Sequence, residues 1–119
     1  MMEKLFGAWK LQEFIIDDSQ GSKLWRPGAH GLLIYSETGH MSVAINSELS
    51  DGSVIDSMLF YSGTYEVEGK SVRHRVSNAT DPQRIGQELF REAYFSDART
   101  LKLTAHGDFG TAILTWLKL

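Results

Sequence analysis

Residues 58–77 read Met-Leu-Phe-Tyr-Ser-Gly-Thr-Tyr-Glu-Val-Glu-Gly-Lys-Ser-Val-Arg-His-Arg-Val-Ser. Glu68-Gly69-Lys70 divides the stretch into two runs and reads as a short hairpin connection. Side chains alternate across a strand, so a polar face on one parity assigns the other. In the first run Ser62, Thr64, Glu66 and Glu68 share a parity and face water, which sends Tyr61, Gly63, Tyr65 and Val67 inward. In the second, Ser71, Arg73, Arg75 and Ser77 face out, leaving Val72, His74 and Val76 inside. A hairpin with one charged face and one apolar, aromatic face belongs to a sheet that covers a core.

The same grammar extends in both directions. Upstream, strands are expected over Ala8–Ile16, about Gly31–Ser36 and about His40–Asn46. They are separated by the turn-rich stretch Asp17–Ser22, the connection Trp25-Arg26-Pro27-Gly28 and the turn Glu37-Thr38-Gly39. The segment Ser47–Asp56, with Asp51-Gly52, reads as a loop before the strand Met58–Glu68. Downstream of Ser71–Ser77, the stretch Asn78–Gly86 holds Asp81-Pro82 and reads as a loop. Strands then follow at about Gln87–Ser96, Thr100–His106 and Thr111–Lys118, turned by Asp97-Ala98-Arg99 and Gly107-Asp108-Phe109-Gly110. Eleven glycines against two prolines fit this punctuation. Eight strands in sequence, joined mostly by tight turns, predict an all-β, antiparallel, up-and-down barrel, a size that closes and can hold one small ligand. Closure also removes the sheet edges.

Composition limits the functions open to such a barrel. A chain of 119 residues is expected to form a single domain over 1–119. A net charge of −3, with scattered Lys and Arg, argues against nucleic acid as partner. The absence of cysteine removes disulfides, thiolate metal sites and cysteine nucleophiles. Met1–Gly7 holds no run suited to a signal peptide, and no stretch reaches the length of a transmembrane helix, so a cytoplasmic location and no membrane partner are expected. His30, His40, His74 and His106 are not spaced as metal-ligand pairs, and no phosphate loop, dinucleotide fingerprint or serine-hydrolase elbow is present, so neither metal nor cofactor is expected.

Strand parity defines the interior. Met41, Val43 and Ile45 share a face, as do Leu101, Leu103 and Ala105. In the strand at 87–96, Glu88 and Glu92 mark an outer face that also carries Phe90 and Tyr94, leaving Gln87, Leu89, Arg91, Ala93 and Phe95 inside. The candidate ligand-binding residues are Tyr35, Met41, Val43, Tyr61, Tyr65, His74, Arg91 and Phe95. They combine apolar walls with a few polar groups, the mixture found in pockets for small organic molecules. Trp9 and Trp116, in the first and last strands, are expected to plug one end. His74 is either a satisfied core histidine, a ligand-orienting group or, in an enzyme, the acid/base. An inward Arg91 needs a partner: it reaches solvent at the barrel mouth or meets an anionic group on a ligand. Glu13 lies on a bent first strand, and its side is left open.

Gly7-Ala8-Trp9 is a G-x-W at the start of the first strand. With Lys10-Leu11, Gly31-Leu32-Leu33-Ile34-Tyr35, Gly39-His40-Met41-Ser42, Ser62-Gly63-Thr64-Tyr65-Glu66-Val67, Val72-Arg73-His74 and Leu114-Thr115-Trp116, it forms an ordered set. This set resembles the small bacterial and fungal lipocalin-like domain family over essentially the whole chain. The resemblance implies a calycin-type barrel with a pocket and names no ligand. Where that family often continues with a second His and an acidic residue, this chain has Arg75 and Ser77, against two-histidine chemistry.

Three functions follow as expectations. The first is a binding protein for a small, mainly hydrophobic molecule, with an acidic or carbonyl group near Arg91 and His74. The second is a cofactor-independent isomerase, cyclase or dehydratase using His74. The third is a ligand-free barrel acting through its outer surface, where Phe90, Tyr94, Ile113 and Leu117 would favour a homodimer.

Overall fold

The computed structural model describes residues 2–18, 20–24, 29–48, 55–107 and 110–119. The connection Trp25–Gly28, most of the loop expected at Ser47–Asp56, and Asp108-Phe109 of the last turn lie outside the described residues. A short helix α1 (Met2–Leu5) precedes β1 (Gly7–Asp18), β2 (Gly21–Leu24), β3 (His30–Tyr35), β4 (His40–Glu48), β5 (Ile55–Glu68), β6 (Ser71–Ala79), β7 (Glu88–Asp97), β8 (Thr100–Gly107) and β9 (Gly110–Lys118). Every strand pairs antiparallel with its neighbour, and β1 pairs with β9 from Trp9↔Lys118 to Asp17↔Thr111, which closes the sheet. β3 pairs with the first part of β1 and β2 with its last part, so the two share one position in the wall. The result is a closed, eight-stranded antiparallel barrel.

Several boundaries differ from the sequence expectation, each by extension of a ladder. Asp17 and Asp18 stay in β1 and pair with Ser22 and Gly21, so the connection between β1 and β2 is a tighter hairpin than the turn expected over Asp17–Ser22. Ser47 and Glu48 continue β4 against Ser57 and Ile55, and Asn78 and Ala79 continue β6 against Ser62 and Tyr61. Within the expected loop 78–86, Pro82–Arg84 forms a 3-10 turn whose start is capped by Asp81, whose carboxylate accepts from the Gln83 N–H at 3.0 Å.

Among the register shifts in the ladders, those in β1 and β6 re-phase the wall. Leu11 pairs with Trp116 but Glu13 with Thr115, so Gln12 is the extra residue. Before it the odd positions Trp9 and Leu11 face inward; after it Phe14 and Ile16 do, and Glu13 is exposed. In β6, Val76 pairs with Gly63 and Asn78 with Ser62, skipping Ser77. The backbone folds so closely there that a Cβ on Gly63 would lie 1.8 Å from the Arg75 carbonyl oxygen. Only glycine permits that approach.

One end of the barrel is sealed. Leu5 of α1 is fully buried, and the Trp9 indole N–H donates to its carbonyl at 2.9 Å. Lys118 lies over the Trp9 ring, 5.5 Å from its centroid. Tyr65 ties the β3–β4 turn across the same end: its N–H donates to Gly39 O at 2.9 Å and its hydroxyl to Ser36 O at 2.7 Å. Arg73 pairs with Glu66 and Glu68 on the outside, in solvent, where such pairs add little stability.

Candidate functional site

Above the seal, the barrel encloses a cavity of about 490 Å³. Its walls are mainly aliphatic and aromatic, from Phe14 and Ile16 of β1 round to Ala112, Leu114 and Trp116 of β9. Its polar lining consists of Tyr61, His74, Arg91, the Trp116 indole and, at the open end, Arg84 and His106. Neither Asp nor Glu lines it among the described residues.

The structure divides the sequence candidates into two groups. Val43, Tyr61, His74 and Arg91 line the cavity. Tyr35, Met41 and Tyr65 are buried in the layer beneath, towards the sealed end, with the Tyr35 and Tyr65 rings 4.7 Å apart. Phe95 packs against Trp9 at the sealed end, beside Lys4. Trp9 belongs to that seal, whereas Trp116 forms part of the cavity wall. Gln87, expected inside, is exposed: it precedes β7, where its N–H closes the 3-10 turn by donating to Arg84 O at 3.0 Å. Leu103 and Ala105 stand on the cavity wall by the parity already read; Phe14 and Ile16 do so because of the bulge at Gln12, which no residue type announces.

His74 is 2% exposed and both its ring nitrogens are engaged. Tyr35 Oη lies 2.6 Å from Nε2 and Tyr61 Oη 2.7 Å from Nδ1. Burial, reinforced by the positive charge of Arg91, pushes the imidazole pKa down to about 3, so the ring is neutral at physiological pH. A neutral imidazole has one donor and one acceptor nitrogen. Tyr35 is 1% exposed, and its hydroxyl has no other hydrogen-bond partner among the described residues. Orphaning its proton would cost about 1–3 kcal/mol. Tyr35 therefore donates to Nε2, the ring proton sits on Nδ1, and Nδ1–H donates to the Tyr61 oxygen.

Burial raises the pKa of both phenols, Tyr35 well above its ordinary value, so both keep their protons. At Tyr61 the rise is opposed by the charges of Arg91 and Arg84 and, at short range, by the N–H donors of Arg91. Arg91 itself is half-buried and donates one N–H to the Phe90 carbonyl at 3.0 Å. The Trp116 indole N–H is buried without a hydrogen-bond partner among the described residues.

On the outer surface, Phe90 and Tyr94 are 55% and 64% exposed. Lys102 and Thr104 of β8 stand between them and the half-buried Ile113 and Leu117, so the four residues expected as one apolar patch are two separate pairs. No helix among the described residues is long and apolar enough to cross a membrane.

Comparison with known proteins agrees with this architecture. A crystal structure of a lipocalin-like protein from Bacteroides uniformis ATCC 8492 superposes with a TM-score of 0.61 at 15% identity, over 98% of this chain and 99% of that one. A redesigned β-barrel superposes with a TM-score of 0.51 at 12% identity, over 99% and 93%. At these identities the likeness concerns the fold. Among curated proteins none matches the chain significantly. Residues 46–119 match the model of the lipocalin-like domain, which spans more than half of the sequence. The chain belongs to the lipocalin-like domain family.

Proposed function

We propose that this protein binds a small, mainly hydrophobic molecule inside its barrel. The observation that carries the reading is the volume of the cavity. About 490 Å³ falls within the range of pockets that take small organic ligands. A barrel filled by its own side chains would leave no such space, which weighs against a purely structural or surface role. The apolar walls supply affinity, and the few polar groups supply orientation. Binding is favoured over proton transfer because both nitrogens of His74 are engaged by tyrosines and its pKa is far below neutrality.

Native mass spectrometry of the full chain, followed by organic extraction, tests this directly. The expected result is a non-covalent adduct of small-molecule mass that is lost on denaturation. A bare protein mass, together with no displaceable binding of a cavity-sized hydrophobic dye, would refute the reading. The same spectrum reports whether the chain is a monomer or a dimer.

A further inference from the structure

The hydrogen bonds around His74 run in one direction, and that direction determines what the cavity can recognise. Tyr35 donates to Nε2, so Nδ1–H donates to the Tyr61 oxygen, and the Tyr61 proton is not used on the imidazole. Its charged neighbour Arg91 has only donors and cannot accept it. Tyr61 lines the cavity, so its O–H turns into that space. Unspent donor capacity also comes from Arg91, which lines the same volume and keeps N–H groups beyond the one given to Phe90. Trp116 stands in the wall with its indole N–H buried and without a partner among the described residues. No carboxylate lines the cavity to neutralise Arg91 among the described residues. The polar side of the cavity thus offers donors and the fixed positive charge of Arg91, with that of Arg84 at the open end, and it asks for a group that only accepts.

We propose that the ligand is an apolar monocarboxylate, with its carboxylate held by Arg91 and Tyr61 and its hydrocarbon part along the aliphatic wall. This rests on the binding reading above and chooses between the acidic and carbonyl ends that the sequence leaves open. A carbonyl oxygen would use a donor but leave the Arg91 charge unpaired in a half-buried site, whereas a carboxylate satisfies both. Tyr35 and His74 are positioning residues: both ring nitrogens of His74 are taken by the tyrosines, and the pair leaves the Tyr61 proton for the ligand. The open end carries the positive charge of Arg84, which favours entry of an anion.

The test is calorimetric titration of the full chain with octanoate, 1-octanol and octylammonium, which share a tail and differ in the head. Octanoate is expected to bind roughly 10- to 100-fold tighter than octanol, the gain from charge-assisted hydrogen bonds, and octylammonium not measurably. In Arg91→Met, with folding checked by near-UV circular dichroism, the octanoate preference should collapse to within about threefold. In the unmutated protein, the imidazole nitrogen shifts of His74 should report the Nδ1–H tautomer, a readout that does not depend on any variant folding. If octanol binds as tightly as octanoate, or His74 carries its proton on Nε2, the carboxylate proposal fails while the binding reading stands. If none of the three probes binds, the carboxylate proposal fails, and the binding reading is decided separately by the mass spectrum and the dye.

Discussion

The imidazole of His74 turns the packing of this barrel into a pH-dependent quantity. In the unfolded chain a histidine titrates near 6.5; in the fold, burial first and the Arg91 charge second hold His74 at about 3. Between these values the unfolded state binds a proton that the folded state refuses, so stability falls as the pH is lowered. The contribution is intact above pH 6.5 and is lost progressively towards pH 3. At pH 5 the unfolded group lies 1.5 units below its midpoint, and at about 1.36 kcal/mol per unit the loss relative to pH 7 is about 2 kcal/mol. The ionisable groups that face the ring are Tyr35, Tyr61 and Arg91, and of these the Arg91 charge adds to burial in lowering the value. Urea unfolding followed by tryptophan fluorescence at pH 7 and pH 5 measures the drop, and His74→Gln isolates it, because glutamine cannot ionise. The drop should be smaller in the variant by about 2 kcal/mol. A difference under about 0.5 kcal/mol, or an imidazole NMR titration in the folded protein centred near 6.5, would refute the account of the site. The NMR titration needs no variant and stands even if His74→Gln folds poorly.

Three further outcomes follow from particular contacts. Gly63→Ala places a methyl group 1.8 Å from a backbone oxygen that cannot rotate away; denaturant unfolding should register a loss of about 3 kcal/mol or more, and an unchanged midpoint would contradict the bulge geometry. Tyr35→Phe removes the proton given to His74 Nε2 and leaves a buried acceptor unpaired, a cost of about 1–3 kcal/mol seen in the same experiment. Trp9→Phe deletes the indole bond to Leu5 O. It should lower stability by about 2 kcal/mol, with hydrogen exchange rising first in Met2–Leu5; uniform acceleration across the barrel would mean that α1 is not held by this bond.

Much of the architecture is legible in the residues because outward charges report the pleat. Glu66 and Glu68 against Arg73 and Arg75 assign the insides of β5 and β6 without ambiguity, and Tyr61, Tyr65, Val72, His74 and Val76 are all buried as that parity requires. Sequence alone could not follow β1 past Gln12. A bulge changes hydrogen-bond register without needing a distinctive residue, so Phe14 and Ile16 entered the cavity wall unannounced while Glu13 turned to solvent. The site was legible as a set of residues and not as a network. His74 is 39 positions from Tyr35 and 13 from Tyr61. Only closure of the sheet brings the two phenols to opposite nitrogens of one ring. Depth was equally invisible, because parity says that Met41 and Val43 both face inward but not that one packs beneath the cavity and the other lines it.

Depth is also what separates structural polarity from usable polarity in this barrel. A buried polar group adds to a core only when its hydrogen-bonding capacity is met. Towards the sealed end it is met internally: Trp9 donates to Leu5, Tyr65 to Ser36 and Tyr35 to His74. At the cavity it is not, because among the described residues the Trp116 N–H has no partner and the Tyr61 proton is left over once His74 has donated to its oxygen. A core under selection for stability alone would have no use for the Trp116 donor, and at Tyr61 would need only the oxygen that accepts from His74 and not the proton left over. Their presence at the cavity wall, and the completeness of the hydrogen bonds beneath it, are what an interior divided into a foundation and a binding surface would contain.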